Sequence, residues 1–357
     1  MDFRRGKRFI WFMPVSPTLL FLLFSILLQF SNPSLAQTLN PTPPATPVRL
    51  VFIHHSVGEA WLNPDNGQLL QALNANNYYV TDTNYEWGPA DEDVGGGTIG
   101  DHTDIGHWYN WFLGPHRATY ESALYANSNL TFGAVNSISD PGGLITVVMF
   151  KSCFPNAGNI TGNPNDPPRQ SSSTDPNPIW GESEGGSYTV SNIKGLYRDL
   201  LQYFATRQDK LFILITTPPT YSGSIDPGAA ANARALHTWL VRHWLDSYPY
   251  NNVAVFDYFN VLTSNGGDPD TNDLGAATGN HHRLAQGQVR HVIGLNNNYA
   301  SYPTGDSHPS TAGHLKATGE FPALLNVAYH AWKGTGGRPR FMGRGPTSSP
   351  GLMLLLE

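Results

Sequence analysis

Three consecutive polar side chains, His54, His55 and Ser56, follow the apolar run Leu50 to Ile53. A serine hydroxyl becomes a nucleophile at neutral pH only when a base takes its proton, and the base needs an acid to orient it. A lone serine after a strand is otherwise most often an ordinary turn residue. Ser56 is therefore a candidate nucleophile if the chain brings a base and an acid to the same place.

A candidate base and acid occur near the C-terminal end, in the stretch TGDSHPSTAGH at residues 304–314. Asp306 and His308 are close enough in sequence for one short turn to hold both, so Asp306 could set the tautomer of the His308 imidazole. Pro309 restrains that turn. Ser307, between the acid and the base, is expected to be a spacer and not the nucleophile.

Short apolar runs alternate with helical patterns along the chain. The runs show no polar alternation, which is typical of parallel strands covered by helices on both faces. They occupy residues 50–53, 78–81, 144–150, 211–217 and 253–256. The helical patterns occupy residues 67–76, 116–127, 189–208, 229–245 and 312–332. Together they predict an α/β fold, a three-layer doubly wound sandwich with a mostly parallel sheet of about five strands.

The predicted sheet places the polar residues at one edge. In open parallel sheets the ligand site lies beyond the carboxyl ends of the strands. Ser56 follows the first strand, the stretch KSCFPN at 151–156 follows the third, and TTPPT at 216–220 follows the fourth. Long polar loops open from the same edge at residues 82–107, 151–188 and 264–310. Because loops of this length rarely lack a function, we expect the site at this edge.

Two blocks of the sequence resemble the SGNH/GDSL hydrolase family, serine esterases built on a flavodoxin-like sheet. VFIHHSVG stands where the family has the Gly-Asp-Ser end of its first strand, and DSHPSTAGH is similar to the Asp-x-x-His block before its last helix. The resemblance spans most of residues 49–333. It implies that Ser56 is the nucleophile, His308 the base and Asp306 the acid of an ester hydrolase that needs no cofactor.

The chain departs from the family's blocks in several places. His54 and His55 replace the Gly-Asp pair, and the acid precedes the base by two residues instead of three. FKSCFPN stands where the family has Gly-x-Asn-Asp, so Asn156 is the nearest amide that could donate to an oxyanion, with Lys151 or Ser152 as substitutes. The glycine of the second block is one of Gly95, Gly96, Gly97, Gly100 and Gly106.

Two other classes of protein fit the same residues. A set of nitrogen and oxygen ligands would suit zinc or another divalent ion in a metal-dependent hydrolase, with the serine incidental. Its members would be His54, His55, Asp306 and His308. A non-catalytic glycan-binding protein could use the same fold and its aromatic loops. In the serine-esterase interpretation no metal is bound, and His54, His55 and Lys151 line the substrate pocket.

The two ends of the chain differ in composition from the middle. Residues 1–36 combine a basic front, a short apolar core and a small-residue cleavage site, which is typical of a signal peptide. Residues 37–48 predict a mobile Pro-rich spacer, residues 49–333 a single domain, and residues 334–357 a disordered tail. We therefore expect an exported protein, periplasmic or extracellular, with no stable membrane span once the signal is cleaved.

Composition also limits which kinds of binding partner we expect. Charged residues make up 13% of the chain and the net charge is −6, which argues against nucleic acid as a partner. Cys153 is the only cysteine. It is expected to be a buried small hydrophobe in a fold that needs no intramolecular disulfide. The sequence thus predicts an exported serine esterase acting on a small-molecule or polysaccharide ester, with acyl or acetyl groups on a polysaccharide as the favoured substrate.

Overall fold

Five strands form one sheet in the order β2-β1-β3-β4-β5, and every neighbouring pair is parallel. The strands are β1 (Val48–Ile53), β2 (Tyr78–Thr83), β3 (Val147–Phe150), β4 (Leu211–Ile215) and β5 (Val253–Phe256). The predicted α/β sandwich with a five-stranded, mostly parallel sheet is confirmed. Its strands are the continuous apolar runs of the sequence.

The sheet belongs to a computed structural model of the protein. It describes residues 38–131, 133–170, 174–179, 187–263, 281–285, 287–292 and 298–338. The predicted signal peptide at residues 1–36 lies outside the described residues, as does the predicted tail from residue 339 onward.

Helices cover both faces of the sheet. The helices are α1 (Ser56–Leu62), α2 (Leu69–Ala75), α3 (Trp108–Phe112), α4 (Arg117–Ala126), α5 (Pro155–Gly158), α6 (Val190–Phe204), α7 (Pro227–Arg242), α8 (Tyr258–Leu262) and α9 (Thr311–Trp332). One apolar cluster joins Val51 and Ile53 of β1 to α3, α4, α6 and α7. A second joins Leu50 and Phe52 to α1, α2, α8 and α9. Successive β1 side chains thus enter opposite cores, as a strand buried on both faces requires.

The strand register determines where the carboxyl ends of β1, β2 and β3 lie relative to one another. Ile53, the last residue of β1, pairs with Thr83 of β2 and with Phe150 of β3. The carboxyl ends of these three strands are therefore level. Because of this register, the segments that follow β1, β2 and β3 leave the sheet side by side.

An antiparallel hairpin of β6 (His281–Ala285) and β7 (Gln288–Val292) lies in the stretch that the sequence predicted as a loop. Its strands contain histidine, arginine and glutamine, so they lack the continuous apolar character that marked the central strands. The neighbouring residues 264–280 of that loop lie outside the described residues.

Residues 38–47 belong to the Pro-rich spacer that the sequence predicts, and hydrogen bonds join them to the last helix and to the chain beyond it. Asn326 of α9 donates to the carbonyl of Pro41 at 2.9 Å, and Nε2 of His330 donates to the carbonyl of Thr42 at 3.0 Å. Proline lacks an N–H group but keeps its carbonyl acceptor, so a Pro-rich segment can still be fastened by donors from a neighbouring helix.

Candidate active site

The junction of β1 and α1 positions the first candidate residue. The backbone N–H of His54 donates to Thr83 at 3.3 Å, which continues the parallel pairing one residue beyond the strand. Ser56 is then the first residue of α1. Gly58 allows this abrupt change from strand to helix, because a Cβ atom at that position would lie 2.3 Å from Cβ of His54. The tight junction fixes Ser56 at the edge of the sheet.

Ser56, His308 and Asp306 form a continuous hydrogen-bonded chain. Oγ of Ser56 lies 3.2 Å from Nε2 of His308, and Nδ1 of His308 lies 3.0 Å from Oδ2 of Asp306. An ionised carboxylate only accepts hydrogen bonds, so Nδ1 carries the imidazole proton and Nε2 is left to accept the serine proton. The structure therefore brings together the three residues predicted as nucleophile, base and acid.

One short turn contains both Asp306 and His308. Oδ1 of Asp306 accepts the backbone N–H of His308 at 2.8 Å, while Oδ2 faces the His308 ring. Thr304 closes the turn by donating its backbone N–H to the carbonyl of His308 at 3.1 Å. Both bonds from His308 hold the pKa of the Asp306 carboxyl below its usual range, so the acid is ionised at neutral pH. The spacing of two residues fits this double contact.

Two residues after β3 border Ser56 and His308. Sγ of Cys153 lies 3.8 Å from Oγ of Ser56, and the ring of Phe154 meets the His308 ring edge-on with 4.8 Å between centroids. Cys153 is partly exposed and not fully buried, which differs from the sequence prediction. The loop after β3 therefore forms one wall of the site, as the sheet topology required.

His54 is buried in the fold and does not lie on the surface. It is fully buried, its Nε2 lies 3.1 Å from Oδ2 of Asp82, and its Nδ1 lies 2.9 Å from the carbonyl of His55. Asp82 is also fully buried and accepts both the N–H and the hydroxyl of Thr131 at 2.7 Å. Both nitrogens of His54 are thus engaged, and the side chain that was predicted to line the pocket holds the end of β1 in place.

His55, the residue directly before Ser56, has two well-defined contacts. Its Nε2 donates to the carbonyl of Gly100 at 2.8 Å, and its ring stacks on Tyr85 with 3.9 Å between centroids. Burial lowers the pKa of His55 to about 4, so the ring is neutral at pH 7. Among the glycines considered for the second block, Gly100 is the one whose carbonyl contacts the residue next to Ser56.

Lys151 and Ser152 continue directly from β3. Lys151 is fully buried, and its Nζ donates to the carbonyl of Ser152 at 3.2 Å. Burial lowers the pKa of the Lys151 amine from its ordinary value. Because both side chains are buried, neither lies on the surface where a substrate would bind.

Asn156, predicted as an oxyanion donor, is also fully buried. Its Nδ2 donates to Oδ1 of Asp104, and its Oδ1 accepts the backbone N–H of Ile105 at 2.8 Å. Tyr188 donates its hydroxyl to the Asn156 carbonyl at 2.7 Å. These contacts tie the start of α5 to the chain before α3, which is a structural use of the amide.

The predicted metal ligands do not converge. The described residues contain no group of three or more His, Cys, Asp and Glu side chains arranged to hold a metal ion. His54 faces Asp82 and His55 faces Gly100, whereas Asp306 and His308 face each other and Ser56. The four residues of the proposed metal set are therefore divided among separate hydrogen-bonded pairs.

Tyr85 is a candidate that the sequence analysis missed. It follows β2 and is 53% exposed, which makes it one of the large exposed aromatic side chains of the described chain. Tyr85 lines an open groove of about 770 Å³ together with Tyr79, residues 128–131 and 134–136, Ile138 and Asp140. The available signal was an aromatic residue just after a predicted strand, at the same sheet edge as Ser56. The sequence alone does not separate Tyr85 from the aromatic residues of the core.

No protein-family model matches the chain, and comparisons with curated proteins and with solved structures give no significant match. The likeness to the SGNH/GDSL hydrolases therefore rests on the two sequence blocks and on the position of Ser56 after the first strand of a parallel sheet. In the part of the chain that the structure describes, no helix has both the length and the apolar character needed to cross a membrane.

Proposed function

We propose that this protein is a serine-dependent ester hydrolase of SGNH type. The observation that carries the proposal is the pair of hydrogen bonds that joins Ser56 to His308 and His308 to Asp306, at 3.2 and 3.0 Å. A serine, an imidazole and a carboxylate in this order have the geometry of an acyl-transfer triad. Their place beyond the carboxyl ends of parallel strands adds support.

In the proposed reaction Ser56 attacks the ester carbonyl carbon as its proton moves to Nε2 of His308. Asp306 keeps the resulting imidazolium oriented and stabilises its charge without taking the proton. The tetrahedral intermediate collapses, the carbon–oxygen bond to the alcohol breaks, and His308 returns the proton to the departing oxygen. Water, deprotonated by His308, then attacks the acyl-enzyme and releases the acid and free Ser56. These steps require no cofactor.

The groove that Tyr85 lines supports a polar ester as the substrate. Its lining includes the side-chain amide of Asn129 and the ring of Tyr79. An amide can exchange hydrogen bonds with sugar hydroxyls, and an aromatic ring can pack against a sugar face. We therefore propose acyl or acetyl groups on a polysaccharide as the substrate class, with export to the periplasm or the extracellular space as the setting.

A fluorophosphonate probe and a short p-nitrophenyl ester test the proposal together. The wild-type protein should be labelled on Ser56 and should hydrolyse the ester. Ser56→Ala should lose labelling and about 10³-fold or more in kcat, the scale expected when a triad member is removed. Ser307→Ala is the matched control, because the Ser307 hydroxyl accepts the Tyr221 N–H at 3.2 Å and takes no part in the triad.

The outcomes separate the alternatives. A folded Ser56→Ala variant that keeps more than a tenth of the wild-type rate removes Ser56 from the mechanism. Activity that disappears with EDTA and returns with zinc would instead favour the metal-dependent hydrolase. Binding of acetylated glycans with neither labelling nor turnover would identify a glycan-binding protein.

A further inference from the structure

The proposed hydrolase needs donors for the negative charge that develops on the ester oxygen. Asn156 is fully buried and bonded to Asp104, and the Lys151 amine is fully buried beneath the loop after β3. Neither side chain therefore faces the space next to Oγ of Ser56. The segment after β2 offers a donor from another element.

Tyr85 approaches Ser56 from the segment after β2. Its ring lies against the His55 ring with an interplanar angle of 25°, so the phenol is carried alongside the residue that precedes Ser56. Ser56 follows His55 directly. Against the rise in pKa that burial causes, the Ser56 hydroxyl and backbone N–H act on the Tyr85 phenol as hydrogen-bond donors that lower its pKa. The Tyr85 phenol and the backbone N–H of Ser56 are therefore neighbours at the β1–α1 junction.

The backbone around Tyr85 is held by specific contacts. Glu86 adopts a left-handed conformation with φ of 61°, and its N–H donates to Oδ1 of Asp101 at 2.8 Å. Trp87 then donates its N–H to the carbonyl of Asn84 at 3.2 Å, which closes the turn around Tyr85. A non-glycine residue at positive φ is uncommon and persists where its surroundings enforce it. The turn fixes where the Tyr85 side chain begins.

The Tyr85 phenol is suited to donate. Burial raises the pKa of Tyr85 above its ordinary value, and this effect outweighs the opposing influence of Ser56. The phenol therefore keeps its proton at neutral and mildly alkaline pH. A protonated phenol can donate one hydrogen bond to an oxyanion without changing its own charge.

We propose that the Tyr85 hydroxyl is a catalytic oxyanion donor that acts together with the backbone N–H of Ser56. When Oγ of Ser56 bonds to the carbonyl carbon, the π electron pair of the carbonyl moves onto its oxygen. Tyr85 and the Ser56 N–H each donate a hydrogen bond to that oxygen, and no proton is transferred. When the alcohol leaves, the electron pair returns to re-form the carbonyl. This proposal rests on the proposed function.

Tyr85→Phe tests the hydroxyl alone, because phenylalanine keeps the ring that stacks on His55. We expect kcat for a p-nitrophenyl ester to fall about 10²-fold with little change in KM, the effect typical of losing one oxyanion donor. The rate of labelling by a fluorophosphonate should fall similarly, because the phosphonyl oxygen occupies the same place as the ester oxygen. Tyr79→Phe is the matched control: it removes a phenol from the same groove, but from within β2.

The two proposals fail in different ways. If Ser56→Ala is still labelled and active, the triad is wrong whatever Tyr85 does. If Ser56→Ala is inactive while Tyr85→Phe has wild-type kcat and labelling rate, the triad stands and Tyr85 is not a donor. A change in KM alone, or equal losses in Tyr85→Phe and Tyr79→Phe, would also overturn the role proposed for Tyr85. Thermal unfolding of each variant checks that the fold is retained.

Discussion

Attaching a small group to Cys153 should block the proposed reaction. Sγ of Cys153 lies 3.8 Å from Oγ of Ser56, and the thiol is partly exposed. A methylthio group from methyl methanethiosulfonate would add a sulfur about 2 Å from Sγ, with a methyl group beyond it. The ester carbonyl carbon must come within about 3–3.5 Å of Oγ to react. The added atoms and the carbonyl would compete for the same space.

The expected loss is large because a small misplacement is sufficient. A displacement of the substrate by about 1 Å can cost roughly 10²-fold in rate, and the adduct is wider than that. We therefore expect ester hydrolysis and fluorophosphonate labelling to fall about 10²-fold on full modification, and dithiothreitol to restore both. Since the chain has one cysteine, mass spectrometry of the intact protein gives the extent of modification at this site directly.

Cys153→Ala provides the control, because it removes the target while leaving the triad in place. This variant should hydrolyse the ester and should not respond to the reagent. Complete conversion of the wild-type protein to the adduct with an unchanged rate would refute the reasoning. In that case either Ser56 is not the nucleophile or the substrate approaches from a side that Cys153 does not border.

Three further predictions concern Asp306, Asn156 and His237, a buried residue of α7 whose Nε2 lies 2.7 Å from Oγ1 of Thr217. Asp306→Asn should lower kcat by about 10²–10⁴-fold with little loss of thermal stability, because an amide N–H facing Nδ1 of His308 favours the wrong tautomer. A variant whose kcat is within about threefold of the wild-type value would remove Asp306 from the triad. Asn156→Ala should lower the free energy of unfolding in urea by about 1–3 kcal/mol and leave kcat nearly unchanged, since its buried partners lose their bonds. A large fall in kcat would instead return the oxyanion role to Asn156. Burial lowers the pKa of His237 to about 3, so the folded state favours the neutral ring and stability is lost as the pH falls. Between pH 7 and pH 5 the His237 ring should account for a loss of about 2 kcal/mol in the free energy of unfolding. The free energy of unfolding of His237→Gln should therefore fall less over that range than that of the wild type. Equal falls would contradict the lowered pKa of His237.

The sequence predicted the central sheet well because its strands are continuous apolar runs, a pattern that parallel strands buried on both faces require. It predicted that Ser56, Asp306 and His308 would meet because Ser56 follows the first of those strands and because Asp306 and His308 share one turn. Both signals are local in the sequence. Only the fold could test whether the turn reaches the strand end, across about 250 residues, and in the structure it does.

The oxyanion side of the site could not be predicted in the same way. Asn156 has the chemistry of a donor, but whether an amide faces a substrate or a buried carboxylate depends on tertiary packing, and here it faces Asp104. His54 likewise could suit a pocket or a metal, and its partner Asp82 becomes visible only when β1 and β2 pair. Tyr85 follows a predicted strand, but many aromatic residues of the core have similar positions. The stack on His55, which supports its proposed role, is not encoded by sequence spacing.

The turn that carries Asp306 and His308 has a consequence for how the site can be switched off. Acid and base are bonded to each other within a few residues of one turn, whereas a single side-chain hydrogen bond joins them to Ser56. A displacement of the turn therefore moves both partners as one body and breaks the Ser56 contact while the pair itself stays intact. A ligand or surface that shifted this turn would lengthen the Ser56–His308 distance alone and would thereby switch off the proposed reaction.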